Sequence, residues 1–254
     1  MTPQTLPQTH RILGIDFFDG SAKAAIDIMR DGGVLVVPAA PALKDLDSNP
    51  GYRDALLNAD LVLTDSAFMV LIWNRLQSTP IKRLSGLEYL RELLQQPDAR
   101  QPGNTFWIMA SPASAQRNLA WLNGQGITVA EDNIYMAPIY GSSGPIADAA
   151  LVGRLNQLRP HHVVVTVGGG TQERLGVYLK RSLTYRPAIH CIGAAIAFLS
   201  GDQVHIPVWA DKFYLGWLLR SLSEPKRFVP RYLDAFRLYP LMRRYRDRLP
   251  DLKT

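Results

Sequence analysis

Five short apolar runs, each closed by a turn residue or a charge and separated by stretches of helical spacing, constrain this chain more than any other feature. They are residues 33–38 (GVLVVP), 61–64, 106–110, 162–167 (HVVVTV) and 188–192. None alternates polar with apolar residues, so both faces of each strand must be covered, as in a parallel sheet flanked by helices. Residues 21–30, 51–58, 87–96, 114–123, 148–158 and 172–181 read as those helices. The alternation predicts a doubly wound, mostly parallel, Rossmann-like α/β sheet over residues 1–205. The Gly- and Ser-rich stretch 139–147 (IYGSSGPIA) reads as a loop.

A chain of 254 residues has room for such a sheet and a smaller appendage. It contains no 18-residue apolar run, and residues 1–10 lack the basic-then-apolar form of a secretory signal, so a cytoplasmic location is expected. The single cysteine, Cys191, excludes an intramolecular disulfide and a cysteine-cluster metal site, and it reads as a buried thiol. The five histidines show no metal-ligand spacing, and the pair His161-His162 reads as the lead into a strand. No metal and no cofactor are expected.

The net charge of +6 is informative once it is located. Residues 206–254 carry 11 Lys plus Arg against 5 Asp plus Glu, whereas residues 1–205 balance at 17 against 17. This tail has no strand-like run. Tyr214, Leu218 and Leu222 share one helical face and Tyr232 and Phe236 another, beside Arg220, Arg231, Arg237, Arg243 and Arg244. It reads as a helical appendage divided by Pro225, Pro230 and Pro240. Apolar stripes flanked by cations suit an anionic membrane surface, and equally suit packing onto the body. A nucleic-acid partner would rest on the charge alone and is not expected.

Asp65 follows the run 61–64 and so falls at the carboxyl end of a strand, where open α/β sheets bind ligands; there it is either a general base or a helix cap. In VVVTVGGGTQE, Gly168, Gly169 and Gly170 allow close backbone approach or positive φ, and the first turn of the next helix offers N–H groups to an anion or sugar. This is neither a dinucleotide fingerprint nor a P-loop. Gln172 and Glu173 at its mouth bond sugar hydroxyls or stabilise the helix start. Arg83 precedes another helix and is placed to meet a phosphate.

Read in order, these pieces resemble the WecG/TagA/CpsF glycosyltransferase family. Ile12-Leu13-Gly14 opens the match, and residues 59–65 (ADLVLTD) resemble its A-D-l-v-x-A-D-G. Arg83 with Gly86 resembles e-R-v-x-G, and residues 167–173 (VGGGTQE) resemble l-G-x-P-x-Q-E. Residues 193–201, Pro207-Val208-Trp209, residues 215–220 (LGWLLR), Glu224-Pro225 and Arg231-Tyr232 continue it. The resemblance implies inverting transfer, without metal, from a UDP-sugar, often N-acetylmannosamine, to a saccharide carried on undecaprenyl pyrophosphate. Asp65 matches the family's base and Gln172 a donor contact, while Arg83, Arg220 and Arg231 would offset charge on the leaving diphosphate. It also implies a protein peripheral to the inner face of the plasma membrane, with homo-oligomers open. The chain departs from the family at Pro38-Ala39-Ala40 (T-x-N), Thr166 (Gly), Gly170 (Pro), Ala197 (Asp) and Gly216 (Glu). These departures imply a divergent subfamily with an altered donor pocket, or a non-catalytic nucleotide-sugar-binding scaffold of a polysaccharide assembly complex.

Overall fold

The computed structural model describes residues 8–203, 207 and 216–253. His205, Ile206, Val208, Trp209, Tyr214 and Leu215, used above, lie outside the described residues. Strands β1 (Thr9–Ile12), β2 (Ile15–Phe18), β3 (Gly33–Val36), β4 (Leu61–Leu63), β5 (Thr105–Met109), β6 (Ile134–Met136), β7 (His162–Val165) and β8 (Ala188–Cys191) form one sheet. Its order is β1-β2-β4-β3-β8-β7-β5-β6, parallel throughout except for the β1–β2 hairpin. The helices are α1 (Ala22–Met29), α2 (Ala40–Leu43), α3 (Pro50–Leu57), α4 (Ala67–Leu76), α5 (Gly86–Leu93), α6 (Pro97–Arg100) and α7 (Pro112–Gly124). They continue as α8 (Ala149–Leu158), α9 (Thr171–Ser182), α10 (Ala197–Ser200), α11 (Gly216–Ser223), α12 (Pro225–Ala235) and α13 (Leu238–Tyr245).

Every residue of β3, β7 and β8 is buried, as the unbroken apolar runs require. Successive side chains feed opposite cores: Val34, Val36, Val163 and Val165 meet α3, α4, α8 and α9 on one face, and Leu35 and Val164 meet α1, α5 and α7 on the other. This is the doubly wound α/β arrangement that the strand–helix alternation predicts. The five expected strands and six expected helices all appear, within a few residues of their expected ends.

The unforeseen elements have identifiable causes. The strands β1 and β2 are four residues each and mix polar with apolar side chains, and β6 has three residues. Helix α4 (AFMVLIWNRL) is apolar from Ala67 to Trp73 and so shows no polar face to reveal a helical period. In the tail, Pro225 starts α12, as expected, but Pro230 lies inside that helix rather than ending it. The expectation of a break there is corrected: the helix continues through Pro230, and Lys226, whose carbonyl loses its usual i+4 donor, and Pro230 are both exposed. Pro240 falls in the first turn of α13, where no intrahelical N–H is needed.

The end of the chain is clasped to the body. Leu238, Leu241 and Met242 of α13 belong to the same core as Leu13, Met69 and Val70. The hairpin turn Leu13-Gly14 has φ of 51° and 75°, the pair of positive values that a two-residue turn between twisted strands demands. Its N–H groups donate to Arg246 O (2.6 Å) and Asp247 O (2.9 Å), and Lys253 N donates to Asp47 O (2.7 Å). Helix α12 is tied to α2 by Lys44–Asp234 at 2.8 Å, and Phe236 meets Phe68 of α4 edge-on at 5.1 Å.

Candidate active site at the carboxyl edge of the sheet

After β3 the chain turns to the face covered by α3, and after the adjacent β8 it turns to the opposite face. Neighbouring strands that part in this way open a crevice at their carboxyl ends, the usual ligand position in such sheets. The residues around that crevice come from β3, β4, β7 and β8.

Asp65 follows β4, and its side chain is one-quarter exposed. It is not the cap of α4: that role belongs to Ser66, whose Oγ accepts from Met69 N at 3.2 Å. Asp65 Oδ1 instead accepts from Gly86 N at 2.9 Å. Arg83 Nε donates to Asp65 O at 2.6 Å, and its terminal nitrogen lies 3.7 Å from Oδ1. The two segments are laced together by Thr64 Oγ1, which donates to Lys82 O (2.7 Å) and accepts from Leu84 N (2.9 Å). Gly86 packs closely here: a Cβ on it would lie 3.3 Å from Val37 and 3.6 Å from Ile192 O. Asp65 is thereby held where the ends of β4, β3 and β8 converge.

Gly168 and Gly169 are exposed, with open space where their side chains would be. Gly170 has a φ of 87°, which the proline of the resembled motif cannot adopt, so this loop takes a turn that the substitution makes possible. The first turn of α9 is less open to an anion than expected, because Thr171 N and Gln172 N already donate to Gly168 O at 3.2 and 3.1 Å. Gln172 is 2% exposed; its Nε2 donates to Glu173 Oε1 at 3.3 Å. A Cβ on Gly193, after β8, would lie 3.3 Å from Gln172 Oε1, and that oxygen has no hydrogen-bond partner among the described residues.

Glu173 is fully buried, and its Oε2 accepts from Gly170 N at 2.7 Å, so it closes the glycine loop from within. Burial pushes its pKa up to about 7, against hydrogen bonds from its own N–H, Gln172 and Gly170 and the charge of Arg174. The folded state therefore holds this proton more tightly than the unfolded chain, whose carboxyl titrates near 4.5. The stabilising contribution is complete below about 4.5 and is lost as pH rises through about 7, a fall on the order of 3 kcal/mol. Glu173→Gln is expected to remove this part of the pH dependence. Urea unfolding at pH 5 and 7.5 checks it, and equal pH slopes in the two proteins would refute it.

A cleft of about 250 Å³ adjoins the glycine loop, lined by Ala110, Ser111, Thr166, Gly168, Ala194 and Ala197 among others. Its rim is braced by Asp202, which accepts from Ser114 Oγ and Arg117 Nε, both at 2.6 Å. These polar residues went unnoticed in the sequence, since nothing marks Asp202 as the partner of residues nearly ninety positions earlier. A larger cleft of about 460 Å³ lies between α3 and α9, but its arginines are committed: Arg174 to the carbonyls of Gly141, Gly144 and Gly170, and Arg181 to Asp54 at 2.7 Å. The smaller cleft lies at the strand ends, and of the expected site residues only Gly168 lines it; Asp65, Arg83 and Gln172 do not.

Of the tail arginines, Arg220 is brought to this side of the molecule. Its guanidinium lies 4.2 Å over the ring of Phe198, which packs with Leu87, one residue beyond Gly86. Arg231 is exposed on α12. Arg237, Arg243 and Arg244 are exposed, as are Leu233 (62% exposed), Phe236 (59%) and, on α11, Leu222 (71%). The tail thus keeps one apolar side in the core and leaves another uncovered by the described residues.

The sequence matches the Glycosyl transferase WecG/TagA/CpsF family over residues 10–251. It is also similar to the N-acetylglucosaminyldiphosphoundecaprenol N-acetyl-beta-D-mannosaminyltransferase of Bacillus spizizenii, with 24% identity over 243 residues covering 90% of each chain.

Proposed function

The chain belongs to the WecG/TagA/CpsF family of glycosyl transferases, and we propose that it moves a hexose, N-acetylmannosamine or a relative, from a UDP donor to a saccharide on undecaprenyl pyrophosphate. The observation that carries this reading is the placement of Asp65 at the strand-end crevice, oriented by Gly86 N–H and flanked by Arg83. In the proposed step Asp65 takes the proton from the acceptor hydroxyl while that oxygen attacks the anomeric carbon. The bond to the diphosphate breaks on the opposite face, and the anomeric configuration inverts. Arg83 and Arg220, with Arg231 from α12, offset the charge that grows on the departing UDP, and on this reading they supply the electrostatic stabilisation without a metal ion.

The unpartnered Gln172 Oε1 beside Gly193 suits a hydroxyl of the donor. Ala197 in the cleft and the turn at Gly170 replace groups of the resembled motif, and the choice of donor sugar turns on them. No helix among the described residues is long and apolar enough to cross a membrane. The exposed Leu222, Leu233 and Phe236, together with the exposed Arg237, Arg243 and Arg244, support peripheral attachment to the anionic surface that holds the acceptor.

The test is UDP release from a panel of UDP-sugars with a synthetic polyprenyl-pyrophosphate saccharide, the product read by mass. One donor is expected to give UDP and a glycan longer by one hexose. UDP binding by calorimetry with no turnover for any donor would overturn the transferase and leave a nucleotide-sugar-binding protein.

A further inference from the structure

The two histidines that showed no ligand spacing in the sequence acquire a third partner in the fold. His161 and His162 lie at the amino end of β7, the edge of the sheet opposite the transfer site, and α6 brings Asp98 against them. One ligand atom from each of the three lies within 4.8 Å of those of the other two. His162 Nε2 and Asp98 Oδ2 are 3.1 Å apart. Two ligands of a tetrahedral zinc ion, with bonds of 2.0–2.2 Å, sit about 3.3–3.6 Å apart, so this pair need open by only a few tenths of an ångström to admit the ion. The His161 ring is exposed and free to rotate the remaining distance, which leaves the fourth position to water. Asp98 is held in place from behind, its carbonyl accepting from Asn104 Nδ2 at 3.1 Å and from Gln101 N at 3.3 Å.

We propose that Asp98, His161 and His162 form a binding site for one divalent transition-metal ion of the zinc and cobalt class, which pins α6 to the start of β7 and takes no part in glycosyl transfer.

The buried groups behind His162 give this site a distinctive signature. His162 Nδ1 is 3.1 Å from His190 Nε2, and His190 Nδ1 is 2.9 Å from Tyr89 Oη. With one proton on each ring and a carboxylate that only accepts, these contacts allow a single orientation of the chain. The direction of the chain follows without the ion: Tyr89 O–H donates to His190 Nδ1, His190 Nε2–H to His162 Nδ1, and His162 Nε2–H to Asp98. An ion on His162 Nε2 needs that lone pair, so the proton must sit on Nδ1 and donate to His190 Nε2. His190 then carries its proton on Nδ1, and Tyr89 turns from donor to acceptor. Every ring keeps one proton, and the direction of the whole chain reverses.

The experiment uses the full-length protein, stripped of metal with EDTA and titrated with ZnCl₂ and CoCl₂ by calorimetry. One ion per chain is expected, with a raised melting temperature. Binding should weaken at least tenfold in His161→Ala and in Asp98→Asn, neither of which touches the transfer site. Nitrogen-15 NMR should show His190 changing from the Nε2–H to the Nδ1–H tautomer on zinc addition. Absence of binding, equal affinity in the two variants, or an unchanged His190 tautomer at saturation would each overturn the proposal.

Discussion

Asp65→Asn is expected to lower the rate of sugar transfer by about 10²- to 10⁴-fold, the range that general-base catalysis contributes. The amide keeps the size of the carboxylate, and its oxygen still accepts from Gly86 N–H, so the crevice between Thr64 and Gly86 retains its lacing. What is lost is the group proposed to receive the acceptor's proton. The melting temperature should therefore stay within a few degrees of the parent while kcat collapses and donor KM changes little. Transfer assays with matched thermal melts check this, and a variant that keeps its full rate removes Asp65 from the role of base.

The second large effect concerns the chain's carboxyl end. From the sequence alone, residues 206–254 read as an appendage that suits either a membrane surface or packing onto the body, and whose loss would cost membrane binding and turnover. The packing predicts something more severe for the last segment. Deleting residues 238–254 strips Leu238, Leu241 and Met242 from the main core, and it takes away the carbonyls of Arg246 and Asp247 that hold the Leu13-Gly14 turn. Three buried side chains at about 1.5–3 kcal/mol each amount to several kcal/mol. That compares with a total stability of roughly 5–15 kcal/mol for a typical domain. The truncated chain should fail to give a cooperative unfolding transition near the parent's midpoint, and an unchanged midpoint in urea would show that the clasp contributes little. The membrane role is better probed at exposed positions: Leu222→Ser with Leu233→Ser leaves the core side of the tail and the Phe236–Phe68 contact intact. Loss of sedimentation with anionic vesicles at unchanged stability is the outcome that the proposed attachment requires.

How much of this was legible beforehand depends on where the information resides. The strands at 33–36, 61–63, 105–109, 162–165 and 188–191 were readable because a strand buried on both faces needs an unbroken apolar run, a property of adjacent residues. The elements β1, β2 and β6 were not, being too short and too mixed to stand out, and α4 hid its helical period by having too little polar surface. The position of Asp65 at a strand end was equally local. Its orientation was not, since the donor that fixes it is the backbone of Gly86, twenty-one residues away, and a backbone N–H leaves no trace in sequence.

The sequence by itself therefore determined the class of sheet, the strand end at which Asp65 stands, and the concentration of positive charge in the tail. The tertiary structure alone decided that the crevice opens between β3 and β8, that Glu173 turns inward to hold the glycine loop, that Asp98 stands against His161 and His162, and that the final helix is part of the core. The division has one physical reason. Burial and helical period are set by residues a few positions apart, whereas each of these decisions joins groups brought together when distant segments pack, and it is the closure of the whole core that selects them.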